Sequence, residues 1–431
     1  MSSDWVETVF SDICVITRGA SPRPIHDWMT EGDGIPWVKI SDATASNSRF
    51  IGKTSGKIKK DGASRSVEVF QGDLILSNSA TPGIPRFMGI NACIHDGWLL
   101  LRDFRGATKE YLYYLLEADR PKLVAQGNGS VFTNLKTDIL KNHRVHLPPL
   151  QEQKAIAHIL GTLDGKIELN RKTNETLEAM AKALFKSWFV DFDPVRAKAE
   201  GRPTGLPAEI SDLFPDSFED SELGEIPSGW EIGRLEEILE IDPQRQLRRG
   251  SISPYLEMKG VPTSGHSAVD VIAREFSSGS KFRNGDTLLA RITPCLENGK
   301  TAFVDFLRDG ETGWGSTEFI VMCGRREEVN PFAYYLARSE VFRNNAIQNM
   351  VGSSGRQRVP SDAVSGFTLP LPPEEILVKF GLLATDLMRR ISANADQSVI
   401  LSKIRDALLP KLISGEIRIP DAEKMLEEVG V

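Results

Sequence analysis

The sequence predicts an α+β protein in which two globular blocks alternate with two long helices that pair with each other. Three observations predict this fold class. A long helical pattern follows the motif Leu147–Gln153, the same junction and helix recur 224 residues later, and short strand-like segments fill the stretch before each helix. The sheet in each block is expected to be mixed or barrel-like, with short helices between its strands.

The first long helix is predicted to begin at a pair of prolines. Pro148 and Pro149 end the segment before them, because proline is accommodated only in the first turn of a helix. About 39 residues at ~1.5 Å each predict a rod of roughly 58 Å. A narrow seam favours a partner helix over a broad core. The seam positions recur at alternating gaps of four and three residues, and they are Ile156, Leu160, Leu163, Ile167, Asn170, Asn174, Leu177, Met180, Leu184 and Trp188.

The partner is predicted to be the second long helix of the same chain. Leu371–Pro373 repeats Leu147–Pro149, and the seam repeats at the same offset. So regular a repeat argues against two unrelated core helices. Asparagine at a seam position costs stability but fixes register and partner, and it occurs in both copies. The repeated seam positions are Leu387, Ile391, Asn394, Leu401 and Leu408, which match Leu163, Ile167, Asn170, Leu177 and Leu184.

The globular blocks are predicted to be duplicated as well. Ile35–Ile40 resembles Ser253–Met258, and Gly72–Leu76 resembles Gly285–Leu289. Duplication at this long period indicates repeated domains and not a solenoid. The predicted boundaries are residues 1–146 for the first block, 147–190 for the first helix, 191–229 for a connector, 230–370 for the second block, 371–415 for the second helix and 416–431 for a C-terminal tail.

Local patterns predict the elements inside these segments. The connector holds ten acidic and three basic residues, which matches the whole net charge of −7. Two interpretations of it stay open: a segment folded against a partner, or a solvated linker. Strands are predicted at residues 67–70, 73–76, 98–101, 287–290 and 319–322, and short helices at residues 109–118, 331–338 and 420–431.

Composition restricts the class of protein. At 431 residues, 40% hydrophobic and 26% charged, the chain is typical of a globular protein with two or three domains. Its four cysteines show no paired spacing, so neither a zinc site nor a disulfide framework is indicated. Neither a signal peptide nor an apolar span of ~20 residues is recognised. We therefore expect a cytoplasmic protein with no membrane partner.

Enzyme signatures are absent from the sequence. It has no Walker-type phosphate loop, no GxSxG elbow and no HExxH metal motif. Asn330–Phe332 resembles an amino-methyltransferase motif but lacks its second proline. His143 and His146 are interpreted as strand surface, so no metal site is predicted. The chain is predicted to be non-catalytic, with no catalytic residues and no cofactor of its own.

Polar and basic turns in both blocks predict a DNA-binding face. Such side chains, beside glycines that allow close backbone approach, suit phosphate contact and base reading. Each residue alone is more often solvated surface, but together, in loops of duplicated blocks, they favour DNA. The candidates in the first block are Lys57, Lys59, Lys60, Arg65, Asn78, Ser79, Arg86, Asn128 and Ser130. Those in the second block are Arg245, Arg248, Arg249, Arg291, Ser353, Ser354, Arg356, Gln357 and Arg358.

With these motifs in place, the chain resembles the DNA-specificity subunits of type I restriction–modification systems. The resemblance covers nearly the whole chain and rests on Leu147–Gln153, the repeated helices, Ala183–Phe189 and Leu408–Gly415. It implies two target-recognition domains that each read one half of a split double-stranded DNA site. It also implies an antiparallel, pseudo-twofold coiled coil that spaces these domains.

The resemblance further implies protein partners. The coiled coil would dock two DNA methyltransferase (modification) subunits, and restriction/translocase subunits would join the assembly. S-adenosylmethionine, ATP and Mg²⁺ would be used in those partners. The second copy departs from the motif, because it has Pro373–Ile376 where the first has Pro149–Glu152. The second docking surface is thus expected to differ from the first.

Two other classes stay open. A protein-only coiled-coil scaffold would give the full assembly no DNA sequence preference. An enzyme with an unrecognised active site would methylate or cut DNA without partners. The resemblance transfers no individual base-reading residue to this chain.

Overall fold

The computed structural model describes residues 4–45, 48–127 and 134–428. The chain divides into two compact units. Met1–Asn170 and Asp396–Val431 form the first unit, and Arg171–Ala395 forms the second. Each unit thus combines one globular block with part of each long helix. No helix in the described part of the chain is long and apolar enough to cross a membrane.

The first block consists of short strands that form layered sheets, with helices packed against them. One sheet has the strand order β2-β11-β8-β9-β5, another has the order β3-β6-β4-β10-β7, and β1 pairs with β12. The strands are β1 (Val6–Val9), β2 (Val15–Arg18), β3 (Met29–Thr30), β4 (Ile35–Val38), β5 (Phe50–Ile51), β6 (Gly56–Ile58), β7 (Val67–Val69), β8 (Leu74–Ser77), β9 (Pro85–Met88), β10 (Ala92–Ile94), β11 (Trp98–Arg102) and β12 (Arg144–Leu147). The helices are α1 (Phe10–Ile13), α2 (Ile40–Thr44), α3 (Lys109–Gly127) and α4 (Thr137–Lys141).

The first long helix, α5, spans Leu150–Phe189 and begins directly after the predicted proline junction. Most predicted seam positions in its first half are buried, including Leu163. Met180 is 53% exposed, so its placement on the seam was wrong. Ala181 and Phe185 are buried instead, because a helix of 3.6 residues per turn drifts away from a strict 3.5-residue repeat.

The acidic connector folds onto its own chain. It forms α6 (Asp193–Ala199), α7 (Ala208–Ser211) and a hairpin of β13 (Phe218–Ser221) with β14 (Gly224–Pro227). Its apolar residues enter the core of the second unit, so the solvated-linker interpretation is wrong. The buried connector residues are Phe192, Val195, Ile210, Phe214 and Ile226.

The second block repeats the topology of the first. Its sheets have the orders β16-β23-β20-β21 and β18-β17-β22-β19, and β15 pairs with β24. Each block has one inner parallel pair, β4 with β10 and β17 with β22. The strands are β15 (Glu231–Arg234), β16 (Leu239–Ile241), β17 (Ile252–Leu256), β18 (Ile272–Glu275), β19 (Ser280–Phe282), β20 (Thr287–Ala290), β21 (Thr301–Phe303), β22 (Gly313–Gly315), β23 (Phe319–Gly324) and β24 (Thr368–Leu371). The helices are α8 (Asn330–Arg338), α9 (Glu340–Gln348) and α10 (Ser361–Ser365).

One sheet in each unit is buried on both faces. Successive residues of β8 point to opposite sides, so Leu74 and Leu76 pack with α3 and α5 while Ile75 enters another cluster. In β20, Leu288 and Leu289 divide between two clusters in the same way. The strand ends of these sheets are therefore fixed by core packing, and they position the loops described below.

The second long helix, α11, spans Glu374–Ser414, and α12 (Ile419–Glu428) follows it. In the first unit, Asp164 of α5 bonds Arg405 at 2.8 Å, and Asn170 bonds Ser398 at 3.2 Å. Because the α11 residue number falls as the α5 number rises, the helices run antiparallel. In the second unit, Asn174 accepts a hydrogen bond from Asn394 at 2.8 Å. The predicted antiparallel pairing is confirmed.

Candidate nucleic-acid interface

Each unit has a polar cleft where several strands end. In the first unit, a cavity of about 460 Å³ lies beside the ends of β2 and β8 and the turn between β10 and β11. Loops at strand ends carry side chains that the sheet does not use, on a rigid scaffold. The lining residues include Arg18, Asn78, Ser79, His95, Asp96 and Lys136.

The second unit has the same cleft at the same strand ends. A cavity of about 230 Å³ lies beside the ends of β16 and β20 and the turn between β22 and β23. These strands occupy the sheet positions of β2, β8, β10 and β11. Its lining residues include Asp242, Gln244, Arg245, Lys281, Arg291 and Thr317.

A matching backbone contact joins each cleft to the loop that follows the block's helices. Leu135 donates its N–H to the carbonyl oxygen of Asn78 at 2.8 Å, and Val359 donates to that of Arg291 at 2.9 Å. Arg291 therefore stands where the first block has Asn78. The duplication thus keeps the frame of the cleft and changes the side chains that line it.

Residues 351–358 form a hairpin at the edge of the second cleft. Val351 and Arg358 exchange two backbone hydrogen bonds of 2.9 Å. Gly352 and Gly355 have φ angles of 122° and 78°, a region that glycine enters without steric cost. The hairpin is thus a short loop closed by a single bridge between its two ends.

The hairpin is held to the cleft by an ion pair. Both carboxylate oxygens of Glu318 accept hydrogen bonds from Arg358, at distances of 2.7 to 3.0 Å. Such a two-point contact fixes the orientation of the guanidinium. Ser353, Ser354 and Arg356 at the tip are exposed. The hairpin therefore offers an adaptable polar tip on a fixed base.

The floor of the second cleft holds two arginines. Arg245 bonds the buried carboxylate of Asp286 at 2.8 Å. Burial raises the pKa of Asp286, and the hydrogen bond from Arg245 opposes that shift. The buried Nε atoms of Arg245 and Arg291 have no hydrogen-bond partner among the described residues. Both arginines thus have an unused donor, and only Arg245 is also held by an ion pair among the described residues.

Known proteins share this sequence and fold. Residues 2–179 match the family model described as the type I restriction modification DNA specificity domain. The type I restriction enzyme MjaIX specificity subunit of Methanocaldococcus jannaschii is 26% identical, over 97% of this chain and 94% of its own length. The HindI specificity subunit of Haemophilus influenzae is 23% identical over 96% of this chain and all of its own.

A solved structure agrees on the fold. The crystal structure of a type I restriction–modification system S subunit from M. genitalium has a TM-score of 0.58 at 15% identity, over 95% of this chain and 96% of that chain. The chain is thus similar in sequence to type I specificity subunits over nearly its whole length. Its fold, with antiparallel helices and duplicated blocks, is similar to that of this S subunit.

The junction motif Leu147–Gln153 ties the helix α5 to the first block. Gln153 is buried and donates to the carbonyl oxygens of Gly106 and Pro148 at 2.9 Å. It also accepts the N–H of Thr108 at 3.0 Å. The second copy has the apolar Leu377 at this position, so its junction is packed and not hydrogen-bonded.

The structure divides the predicted DNA-binding residues of the first block between two places. Asn78 and Ser79 line the cleft, although Asn78 is buried and donates to the carbonyl oxygen of Asp96. The lysines lie on and beside β6, away from the cleft, where Lys60 pairs with Asp33 at 2.6 Å. The candidates outside the cleft are Lys57, Lys59, Lys60 and Arg65. Asn128 and Ser130 lie outside the described residues.

Two sequence interpretations need correction. Arg86 is turned inward, with 12% of its side chain exposed, and bonds Glu117 and the Ala43 carbonyl oxygen. It braces the block and is not available to DNA. His143 is buried and lies 2.9 Å from Asp119, so only His146 is surface. Both errors arise because tertiary ion pairs are invisible in local sequence.

The second-block candidates are closer together. Arg245 and Arg291 line one cleft. The hairpin lies beside it, where Thr293 donates its hydroxyl to the carbonyl oxygen of Gln357 at 3.1 Å. Arg248 and Arg249 are exposed in the turn before β17, outside the cleft lining. Sequence reasoning missed Arg18, Lys136 and Lys281. The match between Asn78 and Arg291 is the signal that could have directed attention to the strand ends around them.

Proposed function

We propose that this chain is the non-catalytic DNA sequence-specificity subunit of a type I restriction–modification complex. Each block reads one half of a bipartite site, and the helix pair sets the spacing and docks methyltransferase subunits. The observation that carries the proposal is the repeated cleft with altered lining. A conserved frame with Asn78 in one copy and Arg291 in the other suits two modules that read different sequences.

The charge distribution supports recognition that depends on partners. The connector accounts for the net charge of −7, which leaves the rest of the chain neutral. Proteins that bind DNA tightly alone are usually basic. We therefore expect weak binding by the free chain and tight binding in the assembly, where two methyltransferase subunits clamp the duplex.

Catalysis is assigned to the partners. Methyltransferase subunits would use S-adenosylmethionine, and restriction/translocase subunits would use ATP and Mg²⁺. This chain would hold none of these groups and would work in the cytoplasm, where the DNA is.

A block exchange tests the proposal. Residues 230–370 are replaced by the equivalent block of a related subunit, and methylated bases are mapped in cells that also express the methyltransferase. One half of the methylated site should change, while the half read by the first block and the number of unread base pairs should persist. A swap that altered both halves together would show one composite reading surface and overturn the proposal.

Helix length provides the complementary test. Lengthening both helices by one heptad, ~10 Å, should alter the spacing and leave both half-sites intact. An unchanged spacing in a methylating assembly would remove the helices from that role.

A further inference from the structure

Two buried charge contacts join the first half of the chain to the second. Asp164 on α5 bonds Arg405 on α11 at 2.8 Å. Glu178 on α5 lies 3.8 Å from the ring of His266 in the second block. In both contacts the carboxylate belongs to the first half and the basic residue to the second. The second half also supplies carboxylates of its own, Asp305 at 3.3 Å from His266 and Asp406 at 2.7 Å from Arg405. The buried carboxylate Asp164 therefore depends on the other half for its cation, whereas Arg405 and His266 do not depend wholly on the first half.

Both carboxylates are built into polar sites. Tyr114 donates its hydroxyl to Asp164 at 2.7 Å, and Tyr334 donates to Glu178 at 2.9 Å. The side chain of Asp164 is 9% exposed, and that of His266 is fully buried. A buried charge that loses its partner is strongly destabilising. These contacts thus have consequences for what each half can pair with.

The internal duplication shows which residues would meet in a self-pair. Asn170 bonds Ser398 in the first unit, and Asn394 bonds Asn174 in the second. These are the same two positions at the 224-residue offset, exchanged between the helices. Equivalent positions therefore meet equivalent partners in the two units.

The same offset gives the counterparts of the charged residues. Asp164 corresponds to Met388, and Arg405 corresponds to Ala181. Met388 and Ala181 are 4% and 0% exposed in one apolar cluster. If two first helices paired, Asp164 would face Ala181. If two second helices paired, Arg405 would face Met388.

The contact between Glu178 and His266 also favours pairing of the first half with the second over pairing of a half with its own copy. The counterpart of Glu178 is Ser402, which carries no charge. A pair of second halves would replace this carboxylate by serine and leave His266 with Asp305 of its own half, 3.3 Å away. A pair of first halves would leave Glu178 without His266 and without the hydroxyl of Tyr334. The seam asparagines do not discriminate, because both helices have one.

We propose that this division of charge makes the two halves heterospecific, so that residues 1–200 pair with residues 201–431 and reject a second copy of themselves. The partner that fits the first helix is a helix with a cation at the Arg405 position. This pairing preference does not depend on DNA. It would ensure that the first helix pairs with the second helix and not with the first helix of another molecule.

The experiment uses the full chain with a protease site inserted at Arg202, in the exposed turn between α6 and α7. The purified, cut chain is partly unfolded in denaturant, diluted back and weighed by native mass spectrometry. Heterodimers should exceed self-pairs by roughly a hundredfold or more. Random re-pairing would leave half of the fragments in self-pairs and would overturn the proposal.

Matched variants test whether the buried charges prevent self-pairing, as opposed to helix contact in general. Asp164→Met with Glu178→Ser gives the first half the residues of the second, and self-pairs of the first fragment should appear. Glu175→Ser removes an exposed carboxylate from the same helix and should leave the wild-type distribution. Self-pairs at the same level in both variants would contradict the assignment.

A double-mutant cycle in the uncut chain decides the matter if the fragments do not separate. Asp164→Met and Arg405→Ala should each lower the unfolding temperature, and the double variant should lie well above the sum of the two losses. The second unit already folds with methionine and alanine at these positions. Additive losses would overturn the proposal.

Discussion

Asn394 donates its side-chain amide to the side-chain oxygen of Asn174 at 2.8 Å, which fixes the register of the two helices in the second unit. The Asn174 amide in turn donates to the Ile391 carbonyl oxygen at 3.0 Å. A polar contact in an otherwise apolar seam lowers stability but excludes shifted registers, in which the amides would lose their partners.

Replacing one asparagine should cost more than replacing both. Asn174→Leu removes an acceptor from Asn394 and should lower the free energy of unfolding by about 1–3 kcal/mol. The Asn174→Leu/Asn394→Leu variant should recover most of that loss, because an apolar pair suits the seam. Urea unfolding measures both, with the exposed Thr173→Leu as control. If the double variant lost as much stability as Asn174→Leu and Asn394→Leu lose together, this role would be contradicted.

Charge in the helix seam should be destabilising in proportion to burial. Leu163 is fully buried, so Leu163→Asp should cost several kcal/mol. Leu387 is partly buried, so Leu387→Asp should cost less. Leu169→Asp, at a position 56% exposed, is the control and should be near neutral. Thermal unfolding and co-purification with the methyltransferase are the measurements; wild-type behaviour of the Leu163 variant would refute the seam.

Stability should fall as the pH rises from neutral to alkaline. Burial lowers the pKa of His266, but the hydrogen bond to Asp305 and the nearby carboxylate of Glu178 outweigh burial and raise it to about 9. A raised pKa adds stability that is complete below the ordinary value of 6.5 and is lost as the pH passes through about 9. The loss should be on the order of 3 kcal/mol.

His266→Gln is the variant that tests this pH dependence. It should be less stable than wild type at pH 6 and should show a flatter profile up to pH 10. Tyr334 and the two carboxylates facing His266 stay in place. Parallel profiles for the two proteins would exclude His266 as the titrating group.

The hairpin arginines should affect DNA binding differently. Arg356→Ala should weaken binding of the assembly to its own site by about 1–3 kcal/mol if it reads a base. A phosphate contact would instead weaken all sequences alike and flatten the salt dependence. Arg358→Ala should also weaken binding, because the ion pair with Glu318 that holds the hairpin is lost.

The Glu318→Gln variant distinguishes loss of the ion pair that holds the hairpin from loss of a direct DNA contact. It should reproduce much of the Arg358 effect without removing a positive charge, while the exposed Arg308→Ala is the control. Fluorescence anisotropy at several salt concentrations measures the DNA affinity of the assembly with each of these four variants. Unchanged affinity in both arginine variants would remove the hairpin from the DNA face.

The elements were predictable where local sequence determines them. The proline pair places the start of α5 at Leu150, and the short segment between turn signals places β20 at Thr287–Ala290. The repeat offset predicted the helix pairing. These features depend on periodicity and on proline geometry, which a single sequence contains.

The connector and the site were less predictable. Acidic residues dominate the composition of the connector, yet Phe192, Val195 and Phe214 bind it to the core. Arg86 and Arg291 look alike in sequence, but the first forms an ion pair with Glu117 and the second forms no ion pair with any described residue. Long-range partners decide such cases, and only the fold reveals them.

The two units also differ in which parts of the chain form them. The second is one continuous stretch, Arg171–Ala395, whereas the first needs residues from both ends of the chain. During synthesis a ribosome therefore releases every residue of the second unit before it releases Leu401 and Leu408, which share a core with Leu163. The block that is translated first is completed last, and its apolar surface is the part of the nascent chain that most needs a chaperone.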